Sequence, residues 1–168
     1  MMHERHMIRL DRKPLLFSMR VAGLIFQNDH LLVQRGAAHD YWALPGGRAE
    51  IGETSEETII REIREELDCE ARIDRLLFTV ENFFPYEGYQ AHELSFYYLL
   101  EPLSPLPFHD SEIVHRVQDG PTEVLFRWVP AVADSFERFD IHPRLLSAFV
   151  ENPPHASRHI INRESAGT

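Results

Sequence analysis

The chain has 168 residues, 43% of them apolar and 26% charged, a composition that suits one globular domain with a single core. Its formal net charge of −10 argues against extended binding to duplex nucleic acid, which relies on neutralising many phosphates. No apolar run approaches the ~20 residues that span a membrane. The opening MMHERHMIRLDRKP lacks the apolar core of a signal peptide, so a cytoplasmic location is the expectation. A lone cysteine, Cys69, rules out an intrachain disulfide and a cysteine-based zinc site.

Taken in chain order, residues 1–13 are polar and read as an arm or a short edge strand. Residues 18–27 are β-branched and apolar enough for a strand, Asn28-Asp29 signals a turn, and 31–34 reads as the returning strand. A third short strand at 41–44 stops at Pro45-Gly46-Gly47. Residues 54–67 carry helical periodicity. Strands follow at 76–84 and 94–100, separated by a loop at 85–90. Residues 101–121 hold several prolines and read as a long loop, a kind of segment that often carries function. Residues 124–129 form the last expected strand, and 131–139 and 143–150 look helical. The polar tail, residues 153–168, reads as flexible. Irregularly interspersed strands and helices without βαβ alternation argue for an α/β fold, a mixed sheet with helices on its faces, in one domain spanning residues 1–168.

The informative stretch is GRAEIGETSEETIIREIREELDC, residues 47–69. Thr54 is placed as N-cap, and Glu57 three residues later completes a capping box. Ile59, Ile60, Ile63 and Leu67 form the buried face. Glu62, Glu65 and Glu66, related by spacings of three and four, share another face. Like charges so placed cost a few tenths of a kcal/mol per pair, roughly, in an exposed helix, and a hard dication that prefers oxygen ligands reverses that sign. Read alone, such a face is more often solvated surface. Here Gly46 and Gly47 precede it and allow a backbone carbonyl to approach a ligand closely. Glu53 lies just before the helix, and Arg61 is four residues from both Glu57 and Glu65, able to orient a carboxylate.

These residues resemble the Nudix signature: a glycine, a glutamate six positions on, and an Arg-Glu-apolar-any-Glu-Glu-any-Gly-apolar run. Gly47, Glu53, Arg61, Glu62, Ile63, Glu65, Glu66 and Cys69 match it in register, after the lead-in Trp42-Ala43-Leu44-Pro45-Gly46. Asp68 stands where the family usually has glycine; a left-handed conformation there costs Asp about 1 kcal/mol more than Gly, but no metal ligand is lost. The resemblance implies a Nudix-type α/β/α sandwich with a mixed central sheet. It implies metal-dependent hydrolysis of a phosphoanhydride bond in a nucleoside diphosphate derivative such as a nucleoside triphosphate, ADP-ribose or a dinucleoside polyphosphate. The cofactor would be Mg²⁺, with Mn²⁺ as substitute.

Carried over residue by residue, Glu62, Glu65, Glu66 and the Gly46 carbonyl are the metal ligands, Glu53 supports the cluster and Arg61 orients a ligand. The general base is open among Glu62, Glu65, Glu112 in the long loop and Glu123. Substrate signals conflict: members that cleave ADP-ribose often carry a proline after the box, where Pro85 stands, and dinucleoside polyphosphate hydrolases a tyrosine, where Tyr86 stands. Aromatics over residues 82–89 could stack a base or pack into the core. His92 is the histidine to watch near the metal face, and Trp42 and Trp128 read as core. The expected partner is a small nucleotide-like molecule, with no duplex nucleic acid and no membrane; a homodimer is compatible with the reading. Two competing readings are a Nudix module that senses a nucleotide without cleaving it and an isopentenyl diphosphate isomerase. The intact glutamates disfavour the first, and the expected burial of Cys69 disfavours the second.

Overall fold

The computed structural model describes residues 5–165. Eleven strands form one mixed sheet: β1 (Arg9–Arg12), β2 (Leu15–Gln27), β3 (His30–Gly36), β4 (Trp42–Ala43), β5 (Gly46–Arg48), β6 (Ala71–Tyr86), β7 (Tyr89–Pro102), β8 (Ile113–Asp119), β9 (Thr122–Pro130), β10 (Ile141–His142) and β11 (Arg158–Arg163). Helix α1 (Ser55–Leu67), the short helix α2 (Asp134–Arg138) and a 3₁₀ turn at Arg144–Phe149 complete it.

The long strand β2 organises the fold. It turns back on itself at Asn28-Asp29, both with positive φ of 50° and 59°, the geometry of a tight hairpin turn. It pairs with β3 only through Phe26 and Gln27, and then the two strands part. From there β2 runs parallel to β7 and antiparallel to β5, while β3 joins β9 and β4. The sheet is therefore forked, and the fork leaves a cleft between its limbs. One core gathers Val21, Ile25, Ile59, Ile63, Leu67 and Trp128 beneath α1. A second gathers Leu24, Val33, Phe78, Phe136, Ile141 and Leu146 beneath α2 and the 3₁₀ turn. Helical segments thus cover both faces of a mixed sheet, as the sequence implies.

Helix α1 forms where its caps and periodicity dictate. The Thr54 hydroxyl accepts from the Glu57 amide at 3.1 Å, and the Glu57 carboxylate accepts from the Thr54 amide at 2.8 Å. Asp68 ends it in the left-handed region, φ 47° and ψ 42°, a conformation that glycine adopts at less cost. Trp42, Trp128 and Cys69 are buried as expected.

Several boundaries differ from expectation. The expected loop at 85–90 shrinks to a two-residue turn, because Glu87 and Gly88 both take positive φ and let β6 and β7 run together to Tyr86 and Tyr89. The expected long loop at 101–121 holds β8, which forms a hairpin with β9 through Gly120. Its prolines flank that strand without entering it. The expected helices at 131–139 and 143–150 are shorter, reduced to α2 and the 3₁₀ turn. The tail read as flexible carries β11, paired parallel to β6 from Arg158 opposite Phe78 to Arg163 opposite Phe83. An edge strand needs few apolar residues, so hydrophobic periodicity does not reveal it. The N-terminal arm contributes β1 on β2, and its preceding residues bridge Met7 to Glu50.

Candidate active site

The cleft in the fork is a cavity of about 580 Å³, within the range of small-molecule sites. Its charged end is built by α1 and β5. Gly47 passes so close to the helix that a Cβ on it would lie 2.4 Å from the Glu62 carboxylate. Glu62 and Glu66 line this end, and both are buried. Burial raises Glu62 above the ordinary carboxylate range. Burial, with the neighbouring Glu62 charge, pushes Glu66 up to about 8. The Glu66 Oε2 atom is buried and has no hydrogen-bond partner. An unpaired buried carboxylate oxygen is costly and is normally paired or bound to a metal.

Behind the carboxylates stands Arg61. Its Nε donates to Glu53 Oε1 at 2.6 Å, Nη2 to Glu53 Oε2 at 2.9 Å, and Nη1 to Glu62 Oε1 at 2.7 Å. The first pair is a bidentate fork. Hydrogen bonding by Arg61 holds Glu53 down at about 2, and the same bonds raise Arg61. Thr58 Oγ1 also donates to Glu53 Oε2, at 3.0 Å. Glu53 therefore anchors the arginine that aims Glu62.

Glu65 is turned to the rim. It accepts from Arg5 at 2.8 Å and from Arg61 at 3.4 Å, and its side chain is 38% exposed. The Gly46 carbonyl faces Gln34, whose Nε2 donates to it at 3.1 Å. Among the described residues no three His, Cys, Asp or Glu side chains are already gathered around one point. The structure thus brings Glu62, Glu66 and Gly46 to one end of the cavity, ties Glu53 and Arg61 behind them, and leaves Glu65 alongside.

Glu112 and Glu123 are not brought to the cavity. The Glu112 side chain is 76% exposed and lies 3.9 Å from His109, because the turn before β8 points outward. Glu123 pairs with Arg116 across the β8–β9 hairpin at 3.6 Å. Glu112→Gln should therefore leave turnover within about twofold of wild type in a steady-state assay; a fall of about 10²-fold or more would return the base role to it. His92 is also displaced from expectation. Its ring stacks on Phe83 at 4.3 Å and edges Phe17 at 5.1 Å, on the face of β7 opposite the cavity-lining Ala91 and Glu93.

Sequence reasoning missed residues that the fold collects from distant strands. Asp119, at the end of β8, lines the charged end and its charge acts on Glu66. Arg20 and Arg48 sit side by side on β2 and β5, and burial together with the Arg9 and Arg20 charges lowers Arg48. Glu93 and Asn82 line the cavity on adjacent strands. Strand periodicity would have put Arg20 on one face with Ser18 and Ala22, but nothing local marks that face as a cavity wall.

The NUDIX domain family matches residues 17–139. The chain belongs to the Nudix hydrolase family. A MutT-like protein of Streptomyces ambofaciens is 39% identical over 70 residues, covering 41% of this chain and 46% of that protein. The matched segments span less than half the length of the curated relatives. Two solved structures share the fold. An ADP-ribose pyrophosphatase from Streptococcus suis aligns with TM-score 0.56 and 13% identity, over 86% of this chain and 98% of that one. A mutator MutT protein from Bacillus halodurans aligns with TM-score 0.59 and 17% identity, over 86% and 89%. Among the described residues no helix is long and apolar enough to cross a membrane.

Proposed function

We propose that this chain hydrolyses a phosphoanhydride bond in a nucleoside diphosphate derivative, with Mg²⁺ or Mn²⁺ as cofactor. The observation that carries the reading is the orphaned Glu66 Oε2, buried beside Glu62 at the end of a cavity whose next wall is Arg20 and Arg48. The residues fit a hard divalent cation: Glu62, Glu66 and Asp119 offer carboxylate oxygens at this end, and one oxygen of Glu66 lacks a partner. Glu62, Glu66 and the Gly46 carbonyl would hold it, with Glu65 joining from the rim. A bound cation would neutralise phosphate charge and lower the pKa of a bound water.

The chain's own residues supply the rest. Arg20 and Arg48 present guanidinium groups to the diphosphate, and such planar forks suit phosphate oxygens. Arg61, pinned by Glu53, keeps Glu62 in one orientation, as residues behind a metal ligand generally do. The attacking water gives its proton to a carboxylate of the box, Glu62 or Glu65. The water oxygen bonds to phosphorus as the bond from that phosphorus to the bridging oxygen breaks, and the bridging oxygen leaves on the second phosphate. Two proteins of this fold, an ADP-ribose pyrophosphatase and a UDP-X diphosphatase, support a diphosphate joined to a second moiety as substrate.

The test is a chromatographic screen for cleaved nucleotide products over nucleoside triphosphates, ADP-ribose, UDP-sugars and dinucleoside polyphosphates, each with Mg²⁺ and with Mn²⁺. At least one compound should turn over at about 1 s⁻¹ or faster, in the ordinary range of enzymes, and none without metal. Tight nucleotide binding with no turnover of any compound would replace the hydrolase by a sensor.

A further inference from the structure

The cavity wall is graded along β2. Four alternate residues of that strand, Leu16, Ser18, Arg20 and Ala22, line it. Alternate residues share one face of a strand and lie about 7 Å apart. Register fixes what stands beside each. Ala22 is opposite Gly46 and therefore at the metal end. Arg20 is opposite Arg48. Ser18 is opposite Glu93, and Glu93 in turn is opposite Asn82. Leu16 is opposite Ala91, which is opposite Phe84. Starting from the carboxylates, the wall thus runs from cationic, to uncharged polar with one carboxylate, to apolar and aromatic, in three successive steps.

A ribonucleoside 5′-diphosphate has the same order of chemistry: phosphates, then a sugar bearing a vicinal diol, then a flat apolar-faced base. Laid along β2 with its diphosphate on Arg20 and Arg48, its sugar falls one strand step further, at Glu93. That carboxylate is an acceptor only. Its Oε1 takes the Ser95 hydroxyl at 2.8 Å, and no ion pair within 4 Å engages it among the described residues. A neighbouring diol offers two donors to such a group. Phe84, Tyr86 and Leu16 then provide the apolar surface for the base.

We infer that Glu93 reads the sugar: its carboxylate accepts from the 2′,3′-diol of a ribonucleoside whose 5′-diphosphate lies on Arg20 and Arg48, and the cavity selects ribo- over 2′-deoxyribonucleoside diphosphate compounds. This rests on the proposed reading of the site as one for nucleoside diphosphate derivatives. A base edge with adjacent N–H donors, as in guanine, has the same donor-pair chemistry, and the test separates the two.

Calorimetric titration with Mg²⁺ would compare ADP, GDP, CDP and UDP with their 2′-deoxy counterparts, on wild type and on Glu93→Gln. Wild type should bind each ribonucleotide about 10- to 100-fold more tightly than its 2′-deoxy partner, the scale of losing a hydrogen bond to a charged group. In Glu93→Gln that ratio should fall to about threefold or less. Thermal melting and Mn²⁺ affinity measured without nucleotide should be unchanged, which shows the variant folded with its metal end intact. Equal binding of ribo and deoxy forms by wild type overturns the sugar assignment and leaves the hydrolase reading standing. Selectivity for GDP over the other three, lost in Glu93→Gln, assigns Glu93 to the base edge and overturns it likewise. Failure of every nucleotide to bind in the presence of metal overturns both readings.

Discussion

Glu66→Gln should cut turnover on the best substrate of the screen by about 10²–10⁴-fold while making the metal-free protein more stable. The two effects share one cause. In the folded chain the Glu66 carboxylate is buried, unpaired at Oε2 and beside Glu62, an arrangement tolerated only because something else gains from it. Glutamine has the same shape and no charge, so it removes the cost of a carboxylate raised to about 8 on folding, a cost that grows as pH rises from the ordinary carboxylate range and is full above about 8. Without divalent metal the variant should melt at a higher temperature than wild type, by an amount corresponding to about 1–2 kcal/mol.

With Mg²⁺ or Mn²⁺ the order should reverse. Wild type gains RT ln(1 + [L]/Kd), about 2.7 kcal/mol at a hundredfold excess over Kd, and the variant gains far less. In kinetics, loss of a metal ligand should cost on the order of 3–5 kcal/mol of transition-state stabilisation, or about 10²–10⁴-fold in kcat/KM. Melting curves with and without metal, beside steady-state rates, check both. Near-native turnover of Glu66→Gln would remove the assignment, and so would a wild-type melting curve indifferent to millimolar Mg²⁺ and Mn²⁺.

How much of this was legible depends on whether the signal is local. The box was, because a helix places residues three and four apart on one face by geometry alone, and because Thr54 and Glu57 mark its start. Its contacts extend what spacing implied. Arg61 reaches back to Glu53, eight residues away and outside the helix, a link that helical spacing does not foresee. The rest of the site is non-local. Arg20, Glu93 and Asp119 are separated by most of the chain and meet only because β2 and β3 diverge after two paired residues. A register shift of one residue would turn Arg20 and Glu93 away from the cavity. The interest attached to Glu112 came from its place in a proline-rich segment. The β8–β9 hairpin then carried Asp119 into the cavity and left Glu112 in solvent. Histidine 92 failed for the same reason as any face assignment without a known register: its neighbours Ala91 and Glu93 have the cavity, and it has the other side.

The two glycines of the box entrance give the sharpest separation of fold from site. Gly46→Ala should unfold or badly destabilise the protein. A Cβ there would lie 2.0 Å from the Val21 carbonyl oxygen and 2.7 Å from the Ala22 Cα, both backbone of the central strand, and φ is 152°. Neither atom can move without breaking the β2–β5 pairing. Overpacking against rigid backbone and a sparsely populated φ each cost about 1–3 kcal/mol, so a loss of roughly 3–5 kcal/mol is expected. That is a large part of the stability of an ordinary domain. Gly47→Ala meets a different obstacle. Its Cβ would lie 2.4 Å from the Glu62 carboxylate, the far end of a side chain that can swing aside. The fold should survive with a change of about 1 kcal/mol or less. Metal affinity should nevertheless fall about tenfold or more, because Glu62 leaves the orientation that Arg61 gives it. Urea unfolding of both variants, with Mn²⁺ titration of Gly47→Ala, makes the comparison. If Gly46→Ala unfolds like wild type, the close approach of β5 to β2 is not as described; if Gly47→Ala binds metal normally, Glu62 is not where the cation sits.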